Sequence, residues 1–348
     1  MVKTSSVRAR WVAAVAGLMV SLSSTVALTA PATADTDCAT TQRHNPAAKY
    51  LCAKTNDLVD VRIGDVLPTQ PSLGYDEVYY KLGRYTLGKD TVNKKFDDWC
   101  ESNGQVSAAT VTAASTLRNS ASFTCSVAIG KETTESIANM KTVVIGPGGK
   151  LYLTDGHHTL TSFYETPDAG ADTHIRLKVL GNLSAQPMST FWDTMQKNGW
   201  AWLKDVNGRT IKPAQLPKSV GLANFANDKY RGLLYFGRDI GYSQNSLPFQ
   251  EFYWGAWVRD GKAVPDWNAK DLTSYLSAVE TMTRAQVALG ANGVVAEGKT
   301  AGDLGVLSAW NAGSAATAGE FAKLSKPYSD AKPGKLAYAI EYKARNGK

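Results

Sequence analysis

The chain has 348 residues, of which 43% are hydrophobic and 20% charged, and carries a formal net charge of +7. That balance excludes a disordered, collagenous or coiled-coil protein and allows one large core or a domain with an appended lobe. A charge this small over this length does not itself imply nucleic acid, because the cations would have to be clustered.

The first element is a leader. Residues 1–34 hold Lys3, Arg8 and Arg10 with no acidic residue, an apolar stretch from Trp11 to about Leu28, and the small-residue triplet Ala32-Thr33-Ala34. A basic start, a short apolar core and an A-x-A site read as a secretory signal peptide cut after Ala34. A membrane anchor is the competing reading, weakened by Ser21, Ser23, Ser24 and Thr25 within the apolar run. Removing these 34 residues and their three basic side chains leaves 314 residues with a net charge of +4. No later segment reaches the ~18 consecutive apolar residues of a membrane span. The expectation is a secreted protein, free of the membrane once the leader is removed.

The four cysteines, Cys38, Cys52, Cys100 and Cys125, all follow the leader. In an oxidising compartment an even count predicts two disulfides. Three connectivities exist, and nearest-neighbour pairing, Cys38–Cys52 with Cys100–Cys125, closes the shortest loops. A zinc site competes, but no C-x2-C pair is present.

Residues 35–56 then read as an N-terminal extension stapled by the first disulfide. Leu58 to Ile63 alternates as a strand, and Pro68 and Pro71 prevent a regular helix in the run that follows. Tyr75, Val78, Tyr79, Leu82 and Tyr85 recur at spacings of three and four, predicting an amphipathic helix over 75–88. Residues 101–124, rich in Ser, Thr, Ala and Asn between two cysteines, read as a surface insertion. Thr142–Ile145 and Lys150–Leu153, joined by Gly146-Pro147-Gly148-Gly149, predict a hairpin. A tight turn and short helix are expected from Thr154 to Glu165, and a strand over His174–Leu180. From Ser189 to Trp267 the chain holds six of its nine tryptophans, which suit a core or, alternatively, stacking on bases or sugars. A helix is expected over 269–289 and weaker helices beyond it.

Chemistry concentrates where the hairpin meets its helix. Asp155 has the side chain of an N-cap, Gly156 permits a turn, and the first helical amides after it form a natural oxyanion site. His157 and His158 there are candidate proton donors or acceptors near neutral pH, and Thr159 adds a hydroxyl. The competing reading is a well-capped helix whose histidines are structural. A metal held by Asp155, one of these histidines and His174 is a further alternative. Adjacent helical residues point about 100° apart, so the two histidines do not readily share one ion. Arg231 and Arg238, within an aromatic stretch, either reach this pocket or pair with Asp228 or Asp239. No G-x-S-x-G elbow, P-loop or H-E-x-x-H motif is present.

Taken together, Asp65-Val66-Leu67-Pro68-Thr69-Gln70, Val143 to Pro147, Gly149 to Leu153 and Asp155-Gly156-His157-His158 resemble the ParB-like nuclease branch of the ParB/sulfiredoxin superfamily. Tyr230 to Phe236 and Phe249 to Trp254 suit the same branch. The resemblance implies an α/β (α+β) fold. Its core would be a ParB/sulfiredoxin-like mixed-sheet domain over 57–260 with an insertion at about 97–136. A helical C-terminal lobe over 261–348 and the N-terminal disulfide-stapled extension would flank it. It also implies a pocket for phosphate-bearing ligands between the Pro-Thr-Gln and Asp-Gly-His-His motifs. Two departures stand out: Gly156 precedes His157 with no Cys there, unlike the reductases of the superfamily, and Gln70 is an amide near where its kinases are expected to carry an acid. Secretion disfavours a nucleoside-triphosphate-dependent role.

The resulting expectation is a secreted phosphodiester hydrolase of nuclease type. His157 or His158 acts as general acid or base, oriented by Asp155. Pro68, Thr69, Gln70, Gly156, Thr159 and Arg231 bind the ligand. The partner is a phosphate-bearing ligand, nucleic acid or nucleotide. No cofactor is assigned, and a divalent metal stays open. The alternatives are a non-catalytic phosphate- or nucleotide-binding module and a small-molecule phosphotransferase.

Overall fold

The computed structural model describes residues 48–244, 247–261, 264–313 and 320–348. The leader, its cleavage site and Cys38 lie outside the described residues, as does the extension up to residue 47. Among the described residues no helix is long and apolar enough to cross a membrane.

The architecture is mixed α/β, built around a five-stranded sheet. Its strands are β1 (Leu58–Arg62), β2 (Val66–Pro68), β3 (Thr142–Ile145), β4 (Leu151–Leu153) and β5 (His174–Asn182), in spatial order β1-β5-β3-β4-β2. β1 runs antiparallel to β5, β5 parallel to β3, β3 antiparallel to β4, and β4 parallel to β2. Pro68 ends the edge strand, where a missing N–H breaks no ladder. The expected hairpin is β3–β4, turned by Pro147–Gly149.

Period-two alternation sorts the strand residues between two faces. Val143, Ile145, Leu151 and Leu153 join one core, under α1 (Tyr75–Leu87) and α3 (His157–Glu165). Val144 and Tyr152 point the other way, against Phe191 and Met195 of α4 (Met188–Lys197). Both faces of the short sheet are thus covered, which explains why its central strands read as apolar runs.

The segment expected as a surface insertion is better anchored than its composition suggests. Its start lies in a helix that the sequence pattern missed, α2 (Lys94–Ser102), capped by the Asn93 side chain. Leu117 and Phe123 are buried, and the Phe123 ring sits 4.8 Å from Phe96 and 5.1 Å from Trp99. The Cys100–Cys125 disulfide of the expected pairing is formed and closes this segment onto α2. Two large buried anchors in a segment of two dozen residues show no period, yet two suffice when a crosslink holds them.

A second, helical core is formed by α5 (Lys229–Gly237), α6 (Gln250–Asp260), α7 (Leu272–Ala288) and α8 (Lys335–Arg345). It is centred on Leu233, Trp254, Tyr275, Val279 and Leu336, with Tyr80 reaching in from α1. Most of the tryptophan-rich stretch therefore serves packing, with Trp254 fully buried. α8 lies along α1 so closely that a Cβ on Gly83 would come within 2.6 Å of the Tyr338 carbonyl oxygen. At the same contact, buried Lys343 places Nζ 2.6 Å from Asp76 Oδ1, while Tyr275 donates its hydroxyl to Asp76 Oδ2 at 2.9 Å. The C-terminal helices are joined to α1 through this ion pair.

Candidate active site

The start of α3 opens into a cleft of about 820 Å³ that also borders α1, α5 and α6. Gly156 holds the N-cap position with φ +98° and makes no side-chain cap bond. Any Cβ there would suffer in backbone conformation and would meet Lys141 Cγ at 2.5 Å. This corrects the expectation for Asp155. It neither caps the helix nor orients a histidine; it is largely exposed and lies 3.7 Å from Lys141 Nζ. The left-handed turn at Gly156 carries the Asp155 side chain away from the first helical amides.

His157 is buried, and its Nε2 accepts the Thr69 backbone N–H at 3.1 Å. An amide can only donate, so Nε2 is unprotonated and the proton of the neutral ring sits on Nδ1, toward the Leu153 carbonyl. Burial first, with the Arg231 cation adding to it, pushes the ring pKa down to about 3. His158 repeats the pattern: Nε2 accepts the Gly74 N–H at 3.1 Å, and Nδ1 lies 3.4 Å from Glu77 Oε2. Burial, then Arg231, holds it well below the usual histidine range. The expectation that His157 acts as general acid or base is corrected accordingly. Both its nitrogens serve the fold, tying α3 to the segment after β2.

The other expected ligand groups divide. Gln70, Gly156, Thr159 and Arg231 line the cleft; Pro68 and Thr69 do not. The Thr69 hydroxyl donates to the Leu153 carbonyl at 2.6 Å, so its role is to hold β2 against β4. His174 is remote from the cleft, half-exposed beside Asp60 on the β1–β5 pair. The Gly146–Gly149 turn also contributes nothing to the lining. Among the described residues no group of three or more His, Cys, Asp or Glu is placed to hold a metal ion.

What fills the floor instead is a buried charge network. Arg231 donates from Nη1 to the Ser72 carbonyl at 3.1 Å, places Nη2 3.7 Å from Glu251 Oε2, and stacks over Phe252 at 4.0 Å. Asp228 caps α5 by accepting the Tyr230 and Arg231 backbone N–H groups at 3.1 and 3.2 Å. The expected pairing of Asp228 with Arg231 thus runs through the main chain and leaves the guanidinium for Glu251. Arg238 donates from Nε to Glu251 Oε1 at 2.5 Å and lies 3.8 Å from Glu77 Oε2. Glu251 also accepts the Tyr242 hydroxyl at 2.9 Å. Burial alone would raise the Glu251 carboxyl, but Arg238 overcomes it and holds the group below its ordinary range.

Two atoms of this network, Glu77 Oε2 and Arg231 Nε, are buried with no hydrogen-bond partner. Unmet groups of this kind are costly unless something else satisfies them. Around the whole cleft the four cations Lys81, Lys141, Arg231 and Arg238 are matched by Glu77, Glu101, Asp155 and Glu251. Net charge therefore gives this cleft no attraction for anions.

Glu77 and Glu251 were not assigned a role from sequence, and the partner of Arg238 is Glu251 rather than Asp228 or Asp239. Glu251 falls inside a motif already recognisable, Phe249 to Trp254, and its acidic character within an aromatic helix was the available signal. Glu77 looked like one polar residue of an amphipathic helix.

The two histidines carry a consequence for pH. Above pH 6.5 both rings are neutral in either state. Below it, the unfolded chain takes up protons that the folded chain refuses, since the folded value for His157 is about 3. Stability is thus complete above pH 6.5 and declines as pH falls, by about 1.4 kcal/mol per unit for each histidine. Urea midpoints at pH 7 and pH 5 should show this decline, and His157→Gln should roughly halve its slope. A variant with the full slope would contradict the assignment.

A family model described as "Putative ParB-like nuclease" matches residues 59–260. The crystal structure of protein Atu1540 from Agrobacterium tumefaciens is similar at 20% identity and a TM-score of 0.43, over 67% of this chain and 92% of that one. No curated protein matches the chain. With a match extending over more than half its length, the chain belongs to the ParB-like nuclease family.

Proposed function

We propose that this protein is an exported phosphodiester hydrolase of nuclease type, with a ParB/sulfiredoxin-like domain whose reaction centre is the cleft floor. The family membership supports the reaction class, and the basic, apolar, A-x-A leader supports export. The observation that carries the site is the juxtaposition of Glu77, His158, Arg231, Arg238 and Glu251 at the cleft floor, with polar atoms of Glu77 and Arg231 left unpartnered.

In this reading Arg231 and Arg238 face the non-bridging phosphate oxygens, with orientation fixed by Glu251, Ser72 and the α5 cap. Glu77 accepts a proton from the attacking water, and His158 Nδ1 lies 3.4 Å from its carboxylate. Hydroxide oxygen bonds to phosphorus, the bond to the leaving alkoxide breaks, and the alkoxide takes a proton from solvent. The helix start at Gly156–Thr159 receives the phosphate as it arrives. The substrate is a nucleic-acid strand or nucleotide, and no membrane partner is implied.

Release of p-nitrophenol from bis(p-nitrophenyl) phosphate, with the monoester as control and with either EDTA or Mg²⁺ present, tests this reading. Turnover of the diester above that of the monoester is expected, and no turnover in either condition contradicts it. The charge balance of the cleft favours a second reading, a non-catalytic phosphate-binding module. In that case phosphate raises the melting temperature while no diester is consumed.

A further inference from the structure

Tyr235 and Arg238 line the catalytic cleft and also line a second cavity of about 430 Å³, bounded by α1 and the segment that leads into α8. The volume is that of a small-molecule pocket. Its charge is unlike that of the cleft. Six cations, Arg84, Arg238, Lys323, Lys326, Lys332 and Lys335, line it against one acid, Glu320.

Three of the six are already paired: Arg84 with Asp90, Lys323 with Glu320, and Arg238 with Glu251. Among the described residues no carboxylate lies within salt-bridge distance of the ammonium groups of Lys326, Lys332 or Lys335. Asp330 accepts the Lys332 backbone N–H at 2.9 Å, and Glu320, Asp239 and Glu77 act on Lys335 from farther away. Lys335 Nζ is 5.5 Å from the Tyr235 ring centroid, and the surrounding protein and then Arg238 push its ammonium below the ordinary lysine range. Like charges collected around one cavity repel each other unless an anion enters. The same cavity is bordered by Gly334 and Lys335, the start of α8, where no side chain caps the helix. An uncapped start of an eleven-residue helix adds positive potential and free amides on that side.

We infer that this cavity binds a compact polyanion of the phosphate class, its charges met by Lys326, Lys332, Lys335 and the first turn of α8. Tyr80, Tyr235 and Phe236 give it an apolar wall. The inference does not rest on the activity assigned to the cleft.

Titration calorimetry on the whole mature chain at low salt, with tripolyphosphate as probe, tests it. One site for this cavity is expected in addition to any binding in the cleft, and it is read by itself in the Arg231→Gln background. The double variant Lys326→Gln/Lys332→Gln should bind at least tenfold more weakly while melting at an unchanged temperature without ligand. Arg231→Gln, confirmed folded by circular dichroism, should lose at most the cleft's share and keep one-to-one binding. Unchanged affinity in the lysine variant, a matching loss in Arg231→Gln, or no wild-type binding at millimolar probe overturns the site. Adenosine triphosphate as a second probe separates two sources of the same chemistry. Equal affinity assigns the site to the phosphate chain alone, and tighter binding assigns the aromatic wall to a base as well.

Discussion

Glu251→Gln should lower the unfolding free energy by about 3–5 kcal/mol, the usual cost of breaking a buried ion pair by removing one partner. The substitution preserves volume, so packing around α6 changes little and the effect reads charge. Glu251 is the anion nearest both Arg231 and Arg238 and accepts bonds from Arg238 and Tyr242. Without it, Arg238 has Glu77 at 3.8 Å and Arg231 has Asp228, already committed to capping α5. A loss of this size corresponds to a melting-temperature decrease on the order of 10 °C. The double variant Glu251→Gln/Arg238→Met removes charge of both signs and should recover part of the loss. Urea unfolding at pH 7 decides the matter, and a Glu251→Gln midpoint equal to the wild type contradicts the network.

Glu77→Gln should reduce turnover of a phosphodiester by about 10²–10⁴, the range for removing a positioned proton acceptor. The amide keeps the shape of the side chain and cannot take a proton from water, so kcat should fall while KM moves little. His158→Asn is expected to act through Glu77, whose carboxylate loses its neighbour Nδ1 3.4 Å away. That variant should lower kcat less than Glu77→Gln does and alter the acid limb of the pH–rate profile. Equal turnover by Glu77→Gln and wild type assigns the proton transfer elsewhere.

Four of the sheet's five strands were readable from sequence because they carry their own signal, while the three-residue edge strand β2, ended by Pro68, was not. Thr142–Ile145 and Leu151–Leu153 are short β-branched or apolar runs around a Gly-Pro-Gly-Gly turn, and that pattern is local. The cleft proposed as the site opens beside Asp155-Gly156-His157-His158, a motif visible in the sequence because it follows directly on a strand. Its chemistry was not. Whether a histidine titrates near neutrality depends on burial and on the groups that bond its nitrogens. For His157 these are Thr69 and Leu153, 88 and four residues away in the chain. Glu77, Arg238 and Glu251 come from α1, the end of α5 and α6, so only the folded chain brings them together. Asp155 misled because its residue type suits a cap, while the left-handed backbone at Gly156 decides which residue caps. Helix α2 escaped notice because Phe96, Trp99 and Cys100 give one apolar turn, too few for a period.

The most direct test of the account is cleavage of single-stranded and plasmid DNA by the purified mature chain, side by side with Glu77→Gln and Arg231→Gln. The account predicts cutting by the wild type and a loss of about 100-fold or more in both variants, each folded by circular dichroism. Undiminished cutting by either variant would contradict it and place the phosphodiester chemistry outside the cleft floor.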